Sequence, residues 1–424
     1  MDFDLLISGA GPAGLCLARA LADTGLTIGL VEQQPREALE NAAFDGREIA
    51  MTQRSASLMR ELGLWQRIHD TDPAALSPLR DAKVLNGASP FSMMIGHTLT
   101  NRSELGWLVS NHLIRRAAFA EVDAAAKAHG RITLMTGQPI TRVLSQGAAA
   151  AGSAPAAGSA GSAAGTGDMT EVLLADGTTH RARLLVAADS RFSPTRRAMG
   201  VGASMHDFGR TMLVCQMTHE VPHNHVAWEW FDYGQTLALL PMNDDPVTGE
   251  HRASTVLTLP HQRIEPLLTM DEEAFGEEMS RRYHGRLGKM KLTSTRHNYP
   301  LVGVMPHRLV SRRFACVGDA AVGMHPVTAH GFNFGLLSVN TLADELRLAH
   351  ASGRDIGSPD LLARYERRHM LATRPLYEIT GLIARLYTTD SAPARLLRDA
   401  ALHAAQRLTP FKRLVAATLA GHAA

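Results

Sequence analysis

Phe3-Asp4-Leu5-Leu6-Ile7-Ser8-Gly9-Ala10-Gly11-Pro12-Ala13-Gly14 stands almost at the start of the chain. Residues 3–8 read as a buried strand, a short apolar run ended by glycine. The three glycines keep G-x-G-x-x-G spacing. Gly9 allows a tight turn, Gly11 lets backbone approach a pyrophosphate, and Gly14 lets the next helix pack close to the strand. The helix N-terminus, with Pro12 and Ala13 in its first turn, then offers free N–H groups and a favourable dipole to phosphate. Alone the pattern is weak, and a glycine-rich turn in another α/β protein is the bland alternative. Here a helix is expected over 12–23 and a second strand over 27–31. Glu32 ends that strand 18 residues after Gly14, placed to take a ribose hydroxyl.

Working outward, the chain has 424 residues, which predicts two to three domains. Apolar residues make up 45% and charged residues 20%, enough for a sizeable core in a soluble protein. The net charge of +2 gives no reason to expect a nucleic-acid partner. Three scattered cysteines, Cys16, Cys215 and Cys316, suggest neither zinc nor disulfides, and fit a reducing, cytoplasmic compartment. No signal peptide and no bilayer-spanning run are expected.

Periodicity predicts helices over 52–63 and 104–127, and strands at 132–134, 140–144, 172–175 and 184–188. Residues 147–167 are Ala, Gly and Ser, a flexible insert between strands. Short alternating runs over 205–300 suggest a separate antiparallel sheet. A strand at 314–317 should feed a helix starting near His325 and ending near Leu348, and the tail from 359 reads as helical.

Two further segments carry chemistry. In Ala188-Asp189-Ser190-Arg191-Phe192-Ser193-Pro194-Thr195-Arg196 a strand ends at an acid and a helix cap follows. Gly318-Asp319-Ala320-Ala321 closes the strand Phe314-Ala315-Cys316-Val317. His325-Pro326 and Gly331-Phe332-Asn333-Phe334-Gly335 come next. An acid at a strand end can hold a sugar hydroxyl. Glycines at a helix start permit close approach to a planar ring, and the helix N-terminus stabilises negative charge there. Taken singly, each segment also reads as an ordinary strand-turn-helix.

Together, and in this order, the three segments resemble the group A flavin aromatic hydroxylases, most closely those of ubiquinone biosynthesis. The likeness runs through Gly46-Arg47-Glu48-Ile49-Ala50-Met51, through Asn101 to Gly106, Asn111 and Tyr299-Pro300-Leu301, and into the tail. It implies FAD as cofactor, NAD(P)H as reductant, and oxygen transfer from a flavin C4a-hydroperoxide to an electron-rich phenolic ring. Gly9, Gly11 and Gly14 would hold the pyrophosphate and Glu32 the adenosine ribose. Arg47 and Asn111 would lie along the cofactor. Asp189 and Arg196 belong to the segment tied to FAD and the nicotinamide donor. Gly318 would belong to the cofactor site, Asp319 would bind the ribityl or ribose region, and Pro326, Gly331 and Asn333 would line the isoalloxazine.

Two departures stand out. Ser190 replaces the glycine of the family's Asp-Gly pair, and Ala329-His330-Gly331 replaces Gly-Gln-Gly. The string from His325 to Leu336 looks most like the branch that 5-hydroxylates demethoxyubiquinol. His330 is the candidate for tuning or proton transfer, with a satisfied structural histidine as the alternative.

The resemblance implies an α/β fold: an FAD-binding three-layer domain (1–71, 100–200, 299–370), an interleaved antiparallel-sheet substrate domain (72–99, 201–298) and a helical tail (371–424). The expected activity is hydroxylation of a polyprenylated phenol or quinol. A hydroxylase of a small soluble phenol and a non-catalytic FAD-binding subunit are the rivals. Twenty histidines invite a metal reading, but no ligand spacing supports one. Trp228, Trp230, Phe231 and Tyr233 are either a substrate wall or core. Residues 374–424 carry seven basic side chains against three acidic ones, with Phe411, Leu414, Val415 and Leu419 at helical spacing. That stripe fits a peripheral contact at the inner face of the membrane, or docking on a second subunit or on the protein's own core.

Overall fold

The computed structural model describes residues 1–87, 89, 92–145, 169–232, 234–325, 330–388, 412–413 and 415–417. The expected insert at 147–167, Tyr233 and Pro326 lie outside these residues.

The βαβ unit forms first along the chain. Strand Asp2–Ser8 lies parallel to both Ile28–Glu32 and Thr179–Ala187. Ile132–Thr136 extends the sheet beyond Ile28–Glu32, and Phe314–Cys316 extends it beyond Thr179–Ala187. Leu5, Leu6 and Ile7 are fully buried, as expected for a central parallel strand covered on both faces. Helix Pro12–Ala20 and helix Asn111–His129 pack in the same apolar core, as does helix Gly331–Ala351. Thr170–Leu174 pairs antiparallel with both Thr179–Ala187 and Ile140–Ser145. A turn with Gly177 at φ +84° joins the first pair, a conformation that glycine adopts without a Cβ clash.

The second sheet is antiparallel except where Asp81–Asn86 runs parallel to Val226–Asp232. Its long strand Ala203–His219 pairs with His251–Pro260 and His297–Pro306. One face carries Trp230, Leu213, Leu237 and Leu257 against Phe275 and Met279 of helix Glu272–Arg282. Trp230 is fully buried and its Nε1 donates to Gly87 O at 2.9 Å. Trp228 packs against the same cluster, so these two tryptophans are core.

Two expectations are corrected. Gly106–Ser110 is not the start of a helix but a strand between Glu48–Thr52 and Ser77–Leu79. The helix begins only at Asn111, because long-range pairing overrides the local periodicity. The helix expected from His325 begins at Gly331. His325 precedes a proline, which disfavours the helical region.

Candidate functional site

The glycine turn, the Asp189 segment and the Gly318 segment meet at the C-terminal ends of the parallel strands. Gly9 sits at φ +105°, and a Cβ there would fall 2.6 Å from Ala188 O and 2.8 Å from Asp189 Cα. A Cβ on Gly14 would lie 1.9 Å from Gly9 O, and one on Gly318 2.6 Å from Ala13 Cβ. Glycine is therefore required for contact at these three places. Gly11 differs: a Cβ there meets no atom within 4 Å. Its backbone, not its packing, is what the turn presents.

Glu32 takes Ala10 N–H at 2.7 Å on one carboxylate oxygen and Gln34 N–H at 2.9 Å on the other. It is thus fixed beside the turn. Asp189 takes Thr195 N–H at 3.1 Å on Oδ2. Its Oδ1 is buried with no hydrogen-bond partner among the described residues, and such a group calls for a ligand or water. Arg196 is buried and donates to Arg191 O at 3.0 Å and Ala320 O at 3.2 Å. It ties the second segment to the third.

Ser190 has φ 159°. This is nearly extended backbone, so serine serves where the resemblance implies glycine. The next residue, Arg191, was not singled out from the sequence. It pairs with Asp319 at 3.0 Å and donates to Val302 O at 3.1 Å.

Arg47 and Asn111 meet through Asp45, which sequence reasoning also missed. Asp45 Oδ2 accepts from Arg47 Nη2 at 2.6 Å and from Asn111 Nδ2 at 2.7 Å. Tyr299 donates its hydroxyl to Asp45 O at 2.7 Å, and its ring lies 5.3 Å from the Arg47 guanidinium. Burial pushes the Asp45 carboxyl up, but the Arg47 charge and these hydrogen bonds outweigh it and hold it below the ordinary range. The only cue in the sequence was its place two residues before Arg47.

Asn333 clamps a second edge of the site. Its Oδ1 accepts from Thr52 N at 2.9 Å and its Nδ2 donates to Ala50 O at 2.9 Å. This fixes strand Glu48–Thr52 across the start of helix Gly331–Ala351. His330 is buried at the N-cap of that helix, its ring 5.8 Å from that of Phe334. A Cβ on Gly331 would meet nothing within 4 Å. His325 is buried beside the Phe208 ring, and burial, then the Arg210 charge, push its pKa down to about 4.

Glu48, beside Arg47, is a further group the sequence reading passed over. It accepts from Ser110 Oγ at 2.6 Å and from Gln216 Nε2 at 2.9 Å. It thereby joins the three-stranded sheet to the antiparallel one. Burial pushes its carboxyl up to about 7 against these hydrogen bonds. Among the described residues no group of His, Cys, Asp and Glu has the geometry to hold a metal ion.

A glycine turn bare at Gly11, an orphaned Asp189 oxygen and two helix N-termini fit a dinucleotide with a planar ring. The comparisons agree. The profile of the family described as FAD binding domain matches residues 2–377. Ubiquinone hydroxylase UbiM of Neisseria meningitidis is 41% identical over 99% of this chain and 84% of its own length. Ubiquinone hydroxylase UbiL of Rhodospirillum rubrum is 33% identical over 97% and 88%. The p-nitrophenol 4-monooxygenase PnpA of Pseudomonas putida shares the fold, with a TM-score of 0.73, 14% identity, and 100% of both chains covered. The chain belongs to the FAD-binding family, among its flavin-dependent ubiquinone hydroxylases.

Proposed function

We propose that the protein hydroxylates the aromatic ring of a polyprenylated ubiquinone precursor, with FAD, NAD(P)H and O2. The observation that carries the reading is the convergence of the three motif segments at one end of the parallel sheet, facing an antiparallel sheet across strand Glu48–Thr52. The identity of the ring is supported by the two ubiquinone hydroxylases that match almost end to end.

In this reading Gly9, Gly11, Pro12, Ala13 and Gly14 bind the pyrophosphate and Glu32 the ribose. Asp189, Arg196, Gly318 and Asp319 hold the middle of the cofactor. Arg47 and Asn111 run along it, and Pro326, Gly331 and Asn333 border its ring. Bound flavin supplies hydride acceptance and oxygen activation. The chain's residues orient it, place backbone N–H groups where negative charge accumulates, and exclude water. His330, at the helix N-cap, is the group we assign to proton handling beside the ring. In this reading residues 1–71, 100–200 and 299–370 belong to the FAD-binding part, 72–99 and 201–298 to the substrate part and 371–424 to the tail, with strand His297–Pro306 crossing from one part to the other through its pairing with Ala203–His219. Among the described residues no helix is long and apolar enough to cross a membrane. A polyprenyl chain is insoluble in water, so in this reading the substrate is met at the membrane surface or on a carrier.

The test is turnover of purified, FAD-loaded protein with a short-chain quinol precursor under 18O2. One labelled ring oxygen per product supports the proposal. NAD(P)H consumption that yields only hydrogen peroxide, with every ring precursor tried, counts against it.

A further inference from the structure

On the antiparallel sheet, register places one row of side chains on the same face. Val214 pairs with Val256, Val256 with Ala238, Ala238 with Glu229, Glu229 with Val84, and Val84 with Met93. Trp228 and Trp230 alternate to the opposite face, against the helices. The row looks towards the FAD-binding part at both ends. At one end Val214 abuts the backbone of Gly46, next to Arg47: a Cβ built on Gly46 would lie 2.8 Å from Val214 Cγ2. At the other, Val84, Met93 and Ala227 share an apolar cluster with Ala50. Ala50 and Thr52 are the residues that Asn333 holds at the start of helix Gly331–Ala351.

Glu229 is the only ionisable residue in this row. It is partly exposed, and no described residue gives it a hydrogen bond or an ion pair. Its carboxyl is partly open to solvent, so a ligand's hydroxyl can reach it in place of water. Apolar walls with one placed polar group are what a small-molecule site needs to fix a ring's orientation.

We infer that Glu229 is the specificity residue that hydrogen-bonds a ring hydroxyl of the substrate, an inference that rests on the quinol reading above. Burial raises its carboxyl to about 8, so near neutrality it is largely protonated and both donates and accepts. That suits a hydroxyl, which does the same.

The experiment compares a geranyl-substituted methoxyquinol with its dimethyl ether, titrated into the FAD-loaded protein and followed by the flavin absorbance. Wild type should prefer the quinol. In Glu229→Leu, quinol affinity should fall about tenfold and ether affinity should not, so the preference disappears. A merely structural role would weaken both ligands alike. Glu229→Leu that holds FAD and keeps the wild-type preference overturns the inference while leaving the quinol reading intact. If Glu229→Leu does not retain FAD, Glu229→Ala decides by the same preference. If wild type itself binds neither ligand, the quinol reading fails and this inference with it.

Discussion

Gly11 differs in kind from Gly9, Gly14 and Gly318. Those three are glycine because neighbouring backbone or side-chain atoms leave no room for a Cβ, whereas Gly11 has no neighbour to avoid. Its substitution should spare the fold and strike the ligand. Gly11→Val should fold with an ordinary melting temperature and lose FAD affinity by about fivefold to a hundredfold, from a clash of about 1–3 kcal/mol. A folded Gly11→Val variant with full flavin content would refute the placement.

His330 should affect coupling rather than flavin binding, because it is buried at the N-cap of the helix proposed to meet the ring. His330→Gln and His330→Ala should keep FAD but form less product per NAD(P)H. Unchanged coupling in both would reduce the histidine to a structural role.

Glu48 gives a pH prediction. Its carboxyl titrates at about 7 in the folded protein, raised from an ordinary 4.5 chiefly by burial. A raised acid favours folding below the unfolded value, and that contribution is lost as pH climbs through the folded one. Wild type should therefore lose stability between about pH 4.5 and 7 relative to Glu48→Gln, which keeps an acceptor for Ser110 and Gln216. Melting curves at pH 5 and pH 8 should show Glu48→Gln gaining on wild type at the higher pH; a constant difference would mean that Glu48 is ionised throughout.

Among the elements, the opening βαβ unit was legible because its signals are local: an apolar strand, spaced glycines, an acid at the next strand end. Gly106–Ser110 was not, since its strand character comes from partners near residues 50 and 78. The same distance hid Asp45, whose carboxylate reaches Asn111, and Arg191, whose partner Asp319 stands 128 residues away. Glu229 was hidden differently: only the register shows which face of Val226–Asp232 it shares.

The strands that flank the low-complexity stretch are hairpin neighbours, with Ser145 directly opposite Thr170. Closing such a pair needs only a short turn. Replacing 147–167 with a few glycines should leave FAD content and turnover within experimental error of wild type. Loss of either would make the stretch a working part of the enzyme.

At the scale of the whole molecule, two sheets face each other across strand Glu48–Thr52. Asn333 holds that strand from one side, and the Glu48–Gln216 hydrogen bond ties it to the other. The C-terminal stripe is described only in part. There Ala416 is fully buried and Val415 packs with Leu79, Met93 and Leu105, so this part of the tail docks on the protein's own apolar cluster. Sequence periodicity had left open whether the stripe met a membrane, a second subunit or the chain itself, because amphipathicity says that a face is covered and not by what.

We propose that this chain adds an oxygen to the ring of a ubiquinone precursor. This proposal is tested most directly by mass-spectrometric profiling of quinones in cells that lack the protein, with and without a plasmid copy. The expected result is less ubiquinone and accumulation of a polyprenylated intermediate short of one ring hydroxylation. Wild-type protein should reverse both changes and Gly11→Val should not. An unchanged quinone profile, in cells with no second ring hydroxylase for that position, would contradict the account.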